Sequence, residues 1–73
     1  MSKNKWPVWK RDDGTTVSCT GKIKVMKENL DEINQLMQDA FEDGVIMVVS
    51  DQQIRDVFHD IVNQLNNPYK NKK

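Results

Sequence analysis

The feature that most constrains the fold of this chain is a repeat of apolar residues at helical spacing in its middle. Six of them follow one another at intervals that alternate between three and four positions, a pattern typical of one face of an α-helix. This apolar seam consists of Ile23, Met26, Leu30, Ile33, Met37 and Ala40, and it is widened by Val25, Leu36 and Phe41. At about 100° per residue the whole set covers an arc of roughly 160°. The pattern predicts a first helix over residues 21–44 that packs against more than one neighbour.

Residues that favour helix ends flank the seam. Thr20 or Ser18 can act as the N-cap, because a hydroxyl accepts hydrogen bonds from the free N–H groups of a first turn. Gly44 is expected just past the last turn, where a left-handed conformation is common. Residues 45–49 are apolar and mostly β-branched. They fit either a short buried strand or a last helical turn that runs through Gly44 into a tight turn.

A second helix is predicted over residues 50–66. Ser50 and Gln53 have the spacing of a capping box, with Ser50 as the N-cap. The apolar face of this helix consists of Ile54, Val57, Phe58, Ile61, Val62 and Leu65. Asn67 ends the helix, because the proline that follows disfavours the α conformation at that position.

Residues 6–19 are expected to form a β-hairpin. Two runs rich in β-branched and aromatic residues flank Asp13 and Gly14, a pair that favours a two-residue type I′ turn. Such a turn would place Lys10 directly opposite Val17. A lone hairpin is marginal in water, so we expect this one to dock on the helices.

These elements predict an α+β, helix-dominated fold, in which an N-terminal β-hairpin packs on an antiparallel two-helix hairpin. Residues 6–67 would form a single small domain, between a disordered basic N-terminus at 1–5 and a basic tail at 68–73. Two helices and a hairpin give a thin core for so wide an apolar arc. We therefore expect a homodimer, with a dimeric four-helix arrangement that buries much of the first helix.

The composition excludes several classes of function. One cysteine and one histidine cannot form a tetrahedral zinc site of Cys and His ligands within one chain. The three glycines are too far apart for a phosphate-binding loop, and no apolar run is long enough to span a membrane. No apolar stretch follows the first lysines as in a secretion signal, so we expect a cytoplasmic protein. We expect neither enzymatic activity nor a cofactor.

Two isolated residue patterns could carry chemistry, and both are interpreted as structural. Asp56 and His59 have the spacing of half a carboxylate–histidine metal site. Both lie roughly 130° or more from the centre of the second helix's apolar face, so a solvated surface is expected and no metal is predicted. Cys19 has no base near it in the sequence. It is expected to be a buried structural thiol on the apolar side of the hairpin.

The net charge of zero hides a strong polarity along the chain. Six basic and two acidic residues give residues 1–24 a charge of +4, and residues 25–60 carry −7. Three lysines give residues 61–73 a charge of +3. A balanced total argues against a strongly basic nucleic-acid binder, whereas the polarity favours docking between basic and acidic surfaces.

The leading functional hypothesis is a small non-enzymatic protein–protein interaction module, of the kind found among bacterial or phage regulatory proteins. Its docking surface would combine an acidic stripe on the back of the first helix with the two tryptophans of the hairpin. The acidic stripe consists of Glu28, Asp31, Glu32, Asp39 and Glu42, and the anchors are Trp6 and Trp9. The protein partner itself is not identified by the sequence.

The alternative hypothesis is a nucleic-acid-associated protein that uses its basic ends. Aromatic residues among lysines can stack on bases while the lysines contact phosphates. The basic residues concerned are Lys3, Lys5, Lys10, Arg11, Lys70, Lys72 and Lys73. The second helix is a poor reader of DNA, because it carries three aspartates against a single arginine.

Overall fold

The computed structural model describes residues 6–69, and its regular structure there consists of two helices. Helix α1 spans Thr20–Ile46 and helix α2 spans Asp51–Asn63, joined by a tight turn into a helical hairpin. The chain divides into two compact units between Asp39 and Ala40. The first unit holds the N-terminal segment and most of α1, and the second holds the end of α1 with α2.

The predicted β-hairpin is wrong, and with it the α+β fold class. Between residues 6 and 69 no strand is formed, and the arm before α1 contains one isolated antiparallel bridge, between Lys10 and Thr16. The pairing is shifted by one residue from the expected register, since Lys10 faces Thr16 rather than Val17. The ladder does not extend, because among residues 6–69 the opposed pair Trp9 and Val17 makes one of its two possible bonds, from the Val17 N–H to the Trp9 carbonyl.

The turn in this arm is a different one from the type I′ turn expected. The N–H of Gly14 donates to the carbonyl of Arg11 at 2.9 Å, and Gly14 has a φ of 87°. A type I′ turn needs positive φ at both central residues, but Asp13 does not have it. Asp13 instead folds its carboxylate back onto the turn, where it accepts from the Thr15 N–H at 2.9 Å and hydroxyl at 2.6 Å. The loop gains one residue, which produces the shift in register.

Helix α1 runs through Gly44, the second of the two possibilities for residues 45–49. Its end is a Schellman motif: the Val48 N–H donates to the Val45 carbonyl and the Val49 N–H to the Gly44 carbonyl, both at 2.9 Å. The left-handed residue is therefore Val48, with a φ of 66°, and the expectation that Gly44 fills this place is wrong.

Gly44 has a packing role in the second unit. A Cβ on Gly44 would lie 2.7 Å from Cδ1 of Ile54, so the absence of a side chain lets α2 approach the end of α1 closely. Beside this contact, the guanidinium of Arg55 lies 4.8 Å from the centre of the Phe41 ring, a cation–π distance. Gly44 and Ile54 are the two buried residues between 6 and 69, and Ile54 keeps 9% of its surface exposed.

Helix α2 begins as its sequence predicts and ends earlier. The Ser50 hydroxyl accepts from the Gln53 N–H at 3.1 Å, which confirms Ser50 as the N-cap. The helix ends at Asn63 rather than at residue 66. Further on, the Asn67 side chain accepts from the Tyr69 N–H at 2.8 Å and so forms a local turn. Within residues 6–69, neither helix has the length and apolar content needed to cross a membrane.

Candidate functional site

The structure brings two of the predicted site residues together in the first unit. The indole Nε1 of Trp6 donates to Oδ1 of Asp31 at 2.8 Å, and both residues are half-buried. The ammonium of Lys27 contacts the other oxygen, Oδ2, at 2.7 Å. Lys27 and then Trp6 stabilise the charged carboxylate, so the pKa of Asp31 is lowered, and that of Lys27 is raised in return by Asp31. Asp31 therefore anchors the N-terminal arm to α1, and only part of its surface remains for a partner.

The rest of the acidic stripe is exposed and partly occupied by neighbours on the same helix. Glu28 pairs with Lys24 at 2.7 Å, and Asp39 accepts from the Gln35 amide at 2.9 Å. Glu32 and Glu42 are exposed. Pairs four residues apart on an open helix surface contribute little, so these carboxylates are still able to face a cationic partner.

Trp9 lies apart from the stripe, at an apolar groove of about 720 Å³ in the first unit. Because the register is shifted, the carbonyl of Trp9 accepts from the Val17 N–H at 2.9 Å, which places these two residues opposite each other. The groove is lined by Trp9, Lys10, Val17, Cys19, Gly21, Lys22, Ile23, Val25 and Met26. A second, smaller groove of about 380 Å³ lies between Trp6, Trp9 and Ile23.

Cys19 is exposed, so the prediction of a buried thiol is wrong. Its sulfur accepts hydrogen bonds from the backbone N–H groups of Lys22 and Gly21, which lowers the pKa of the thiol. The residue therefore caps α1, a place for which the sequence suggested Thr20 or Ser18. Cysteine is not among the preferred N-cap residues, so its residue type does not predict that Cys19 caps α1. The one available signal is its position between Ser18 and Thr20, the two predicted N-caps.

The basic residues of the alternative hypothesis are mostly outside the described part of the chain. Lys3, Lys5, Lys70, Lys72 and Lys73 lie outside residues 6–69. Lys10 is exposed. The Arg11 guanidinium is used within the turn, where its Nη1 donates to the Thr16 carbonyl at 2.8 Å and to the Thr15 hydroxyl at 3.2 Å.

The Asp56 and His59 pair has no further ligands around it. Asp56 accepts from the Gln52 amide at 2.9 Å, and His59 is exposed. Within residues 6–69, no three Cys, His, Asp or Glu side chains are grouped so that they could hold a metal ion.

Part of the apolar seam of α1, which the sequence predicted to be packed against other elements, is exposed in the structure. Among the residues of the apolar seam and its flanks, Ile23, Leu30 and Phe41 are half-buried on one side of the helix. Directly beside them lies what we call the open face of α1, formed by Val25, Met26, Ile33, Leu36 and Met37 with exposures of 54%, 39%, 49%, 64% and 37%. These five positions cover an arc of roughly 120°. The sequence identified the residues, but it could not show which side the chain itself covers.

Comparison of the chain with protein-family models, with curated proteins and with solved structures finds no match. The functional inference therefore depends on the geometry of the described residues.

Proposed function

We propose that this chain is a non-enzymatic protein–protein interaction module, and that it associates through the open face of α1. One observation carries the proposal. Five large apolar side chains lie together on one helix face and keep between 37% and 64% of their surface in water. An isolated exposed leucine needs no explanation, whereas a contiguous apolar face is typical of a surface that binds another protein.

The size of the face indicates the kind of complex. Covering these five side chains, which keep about half of their surface exposed, gains about 1 kcal/mol each, or about 5 kcal/mol in all. The loss of translational and rotational freedom costs about 4–15 kcal/mol, so a polar partner surface would give at most a weak complex. A partner that contributes an equal apolar face doubles the gain. This arithmetic favours a helix with a similar apolar face as the partner.

The acidic stripe and the Trp6–Asp31 contact have supporting roles in this proposal. The stripe carries charges that select a partner and its orientation rather than supply affinity. Trp6 fixes the start of the arm at Asp31, away from the centre of the open face. The homodimer is one assembly of this kind, and the cytoplasm, where a lone thiol stays reduced, is the proposed compartment. The nucleic-acid alternative stays a prediction from the sequence. Of its basic residues, Arg11 already donates to the Thr16 carbonyl of its own turn.

Affinity capture from cells that express two differently tagged copies of the chain tests the proposal. Ile33→Glu places a charge at the centre of the open face, and His59→Glu adds the same charge at an exposed position of α2 as a matched control. We expect the wild type and the control to retain the same protein, whether a second copy or another chain. Ile33→Glu is expected to lose it. Recovery of no protein, or of the same proteins by all three, would contradict the proposal.

A further inference from the structure

We propose that the partner of the open face is a second copy of this chain, and that the two α1 helices pair antiparallel about a two-fold axis near residue 32. The proposal rests on the interaction function argued above, and it names the partner and its orientation. Three features of α1 support it: the symmetry of its apolar spacing, the distribution of its charges and its length.

The apolar seam reads the same in both directions. Its members are separated by three, four, three, four and three positions, so a reversed copy of the helix presents the same spacing. In an antiparallel pair, Met26 then lies opposite Met37 of the second copy, and Leu30, which is half-buried beside the open face, lies opposite Ile33. The two methionines are exposed to a similar extent, 39% and 37%, and each can fill space beside the other. An isologous contact of this type is what a two-fold axis requires.

The charges of α1 distinguish the two orientations. Its first turns carry Lys22 and Lys24, and its last turns carry Asp39 and Asp43. An antiparallel pair places the basic start of one helix beside the acidic end of the other, whereas a parallel pair places like charges together. Flanking charges of this kind set the orientation of paired helices.

Lys22 and Asp43 are the two charged residues whose neighbours differ most clearly between the two orientations. They are twenty-one residues apart, which is three full heptads, so both occupy the same flank of the apolar seam. In the antiparallel pair each Lys22 lies beside Asp43 of the second copy. In a parallel pair Lys22 would lie beside Lys27. Both Lys22 and Asp43 are exposed, and so are free of burial that would prevent the contact.

The length of α1 matches this arrangement. Its 27 residues have their midpoint at Ile33, one position from the proposed axis. A helix of that length spans about 40 Å, so the six members of the apolar seam extend over most of it. The occupant must then be a second long helix, and α1 of another copy has the required length, spacing and charge.

Exchange of the flanking charges tests the orientation. We expect Lys22→Asp and Asp43→Lys each to raise the dissociation constant of the dimer about tenfold in sedimentation equilibrium, because two ion pairs become two repulsions. The double variant is expected to return to the wild-type value. Each substitution also places a charge that interacts favourably with the helix dipole, so neither is expected to destabilise α1 itself. Circular dichroism verifies that the helix content is unchanged. Tighter association of Lys22→Asp would overturn the antiparallel pairing.

A distance measurement gives an independent test. Cys19 is the single cysteine and is exposed, so a spin label can be attached to the otherwise unchanged chain. In the antiparallel dimer the two labels are separated by twice the rise from residue 19 to the axis, about 40 Å. A distance of about 15 Å would indicate parallel helices and overturn the proposal. A monomer at all concentrations would overturn it too, while seam-dependent capture of another protein would still leave the interaction function standing.

Discussion

At the scale of single residues, the left-handed conformation of Val48 is the least expected feature of the structure. A β-branched side chain at a φ of 66° meets the backbone, at a cost of roughly 1–2 kcal/mol. Val48 is 89% exposed, so its side chain returns little packing energy. We expect Val48→Gly to stabilise the folded chain by about 1 kcal/mol. Part of this gain is offset, because glycine also increases the conformational entropy of the unfolded chain. Urea unfolding measures the change, with exposed Ile46→Ala as a control that leaves the Schellman motif intact. Destabilisation by Val48→Gly would contradict this account.

The position of Cys19 as the N-cap of α1 predicts how its alkylation and the stability of the chain depend on pH. The N–H groups of Lys22 and Gly21 lower the pKa of the thiol in the folded chain. Because the folded pKa is depressed, the thiolate adds stability at pH above the unfolded pKa, and that stability is lost as the pH falls through the folded pKa. We expect the rate of alkylation by iodoacetamide to rise at lower pH in the folded chain than in urea. Cys19→Ser keeps a capping acceptor but cannot titrate, so its stability should lack this rise with pH. Equal alkylation profiles in the two states would contradict the cap.

At the scale of elements, the N-terminal arm depends on a contact that no local pattern could reveal. Trp6 and Asp31 are 25 positions apart, and the indole of the one reaches the carboxylate of the other only when the arm lies along α1. Trp6→Phe keeps an aromatic ring and removes the donor. We expect the pKa of Asp31 to move up towards its ordinary value, although Lys27 continues to hold it down.

The sign of the stability change follows from the same linkage. A carboxylate with a depressed pKa stabilises the folded chain above its unfolded pKa, and this contribution disappears as the pH falls through the folded value. Trp6→Phe should therefore destabilise the chain at neutral pH and have less effect in acid. Carbon-detected NMR titration measures the pKa of Asp31, and thermal unfolding at neutral and at acidic pH measures the change in stability. Trp9→Phe is the matched control, and an unchanged pKa in Trp6→Phe would contradict the anchoring role.

The helices could be predicted from the sequence, and the arm could not, for a physical reason. Helix signals are local and repeated: the apolar seam gave α1, and the Ser50 cap gave the start of α2. The arm has one short-range signal, Asp13 and Gly14, and its register depended on whether the Asp13 side chain closes the loop. A shift of one residue reverses which side chains face the helix. The acidic stripe shows the same dependence on long-range contacts. Its members could be predicted from their spacing, but the hydrogen bond between Trp6 and Asp31 could not, because the two residues are 25 positions apart.

At the scale of the whole molecule, the small number of buried residues limits the apolar core that a single chain can form. Between residues 6 and 69, Gly44 and Ile54 are the two buried residues, and both belong to the second unit. The described residues of one chain therefore supply a small apolar core, which contributes little stability by itself. If the open face of α1 is covered by a second copy, the core is completed between chains. Stability then depends on the concentration of protein.

This dependence gives a prediction for thermal unfolding. For a folded dimer that unfolds to monomers, we expect the Tm to rise by about 3–5 °C for each tenfold increase in concentration. Ile33→Glu should abolish the slope and broaden the transition, because it places a charge in the proposed interface, while His59→Glu should retain the slope. Calorimetry over a hundredfold range of concentration measures both. A sharp transition that is independent of concentration in the wild type would mean that one chain folds cooperatively by itself, so the apolar face of α1 would have to be covered within that chain.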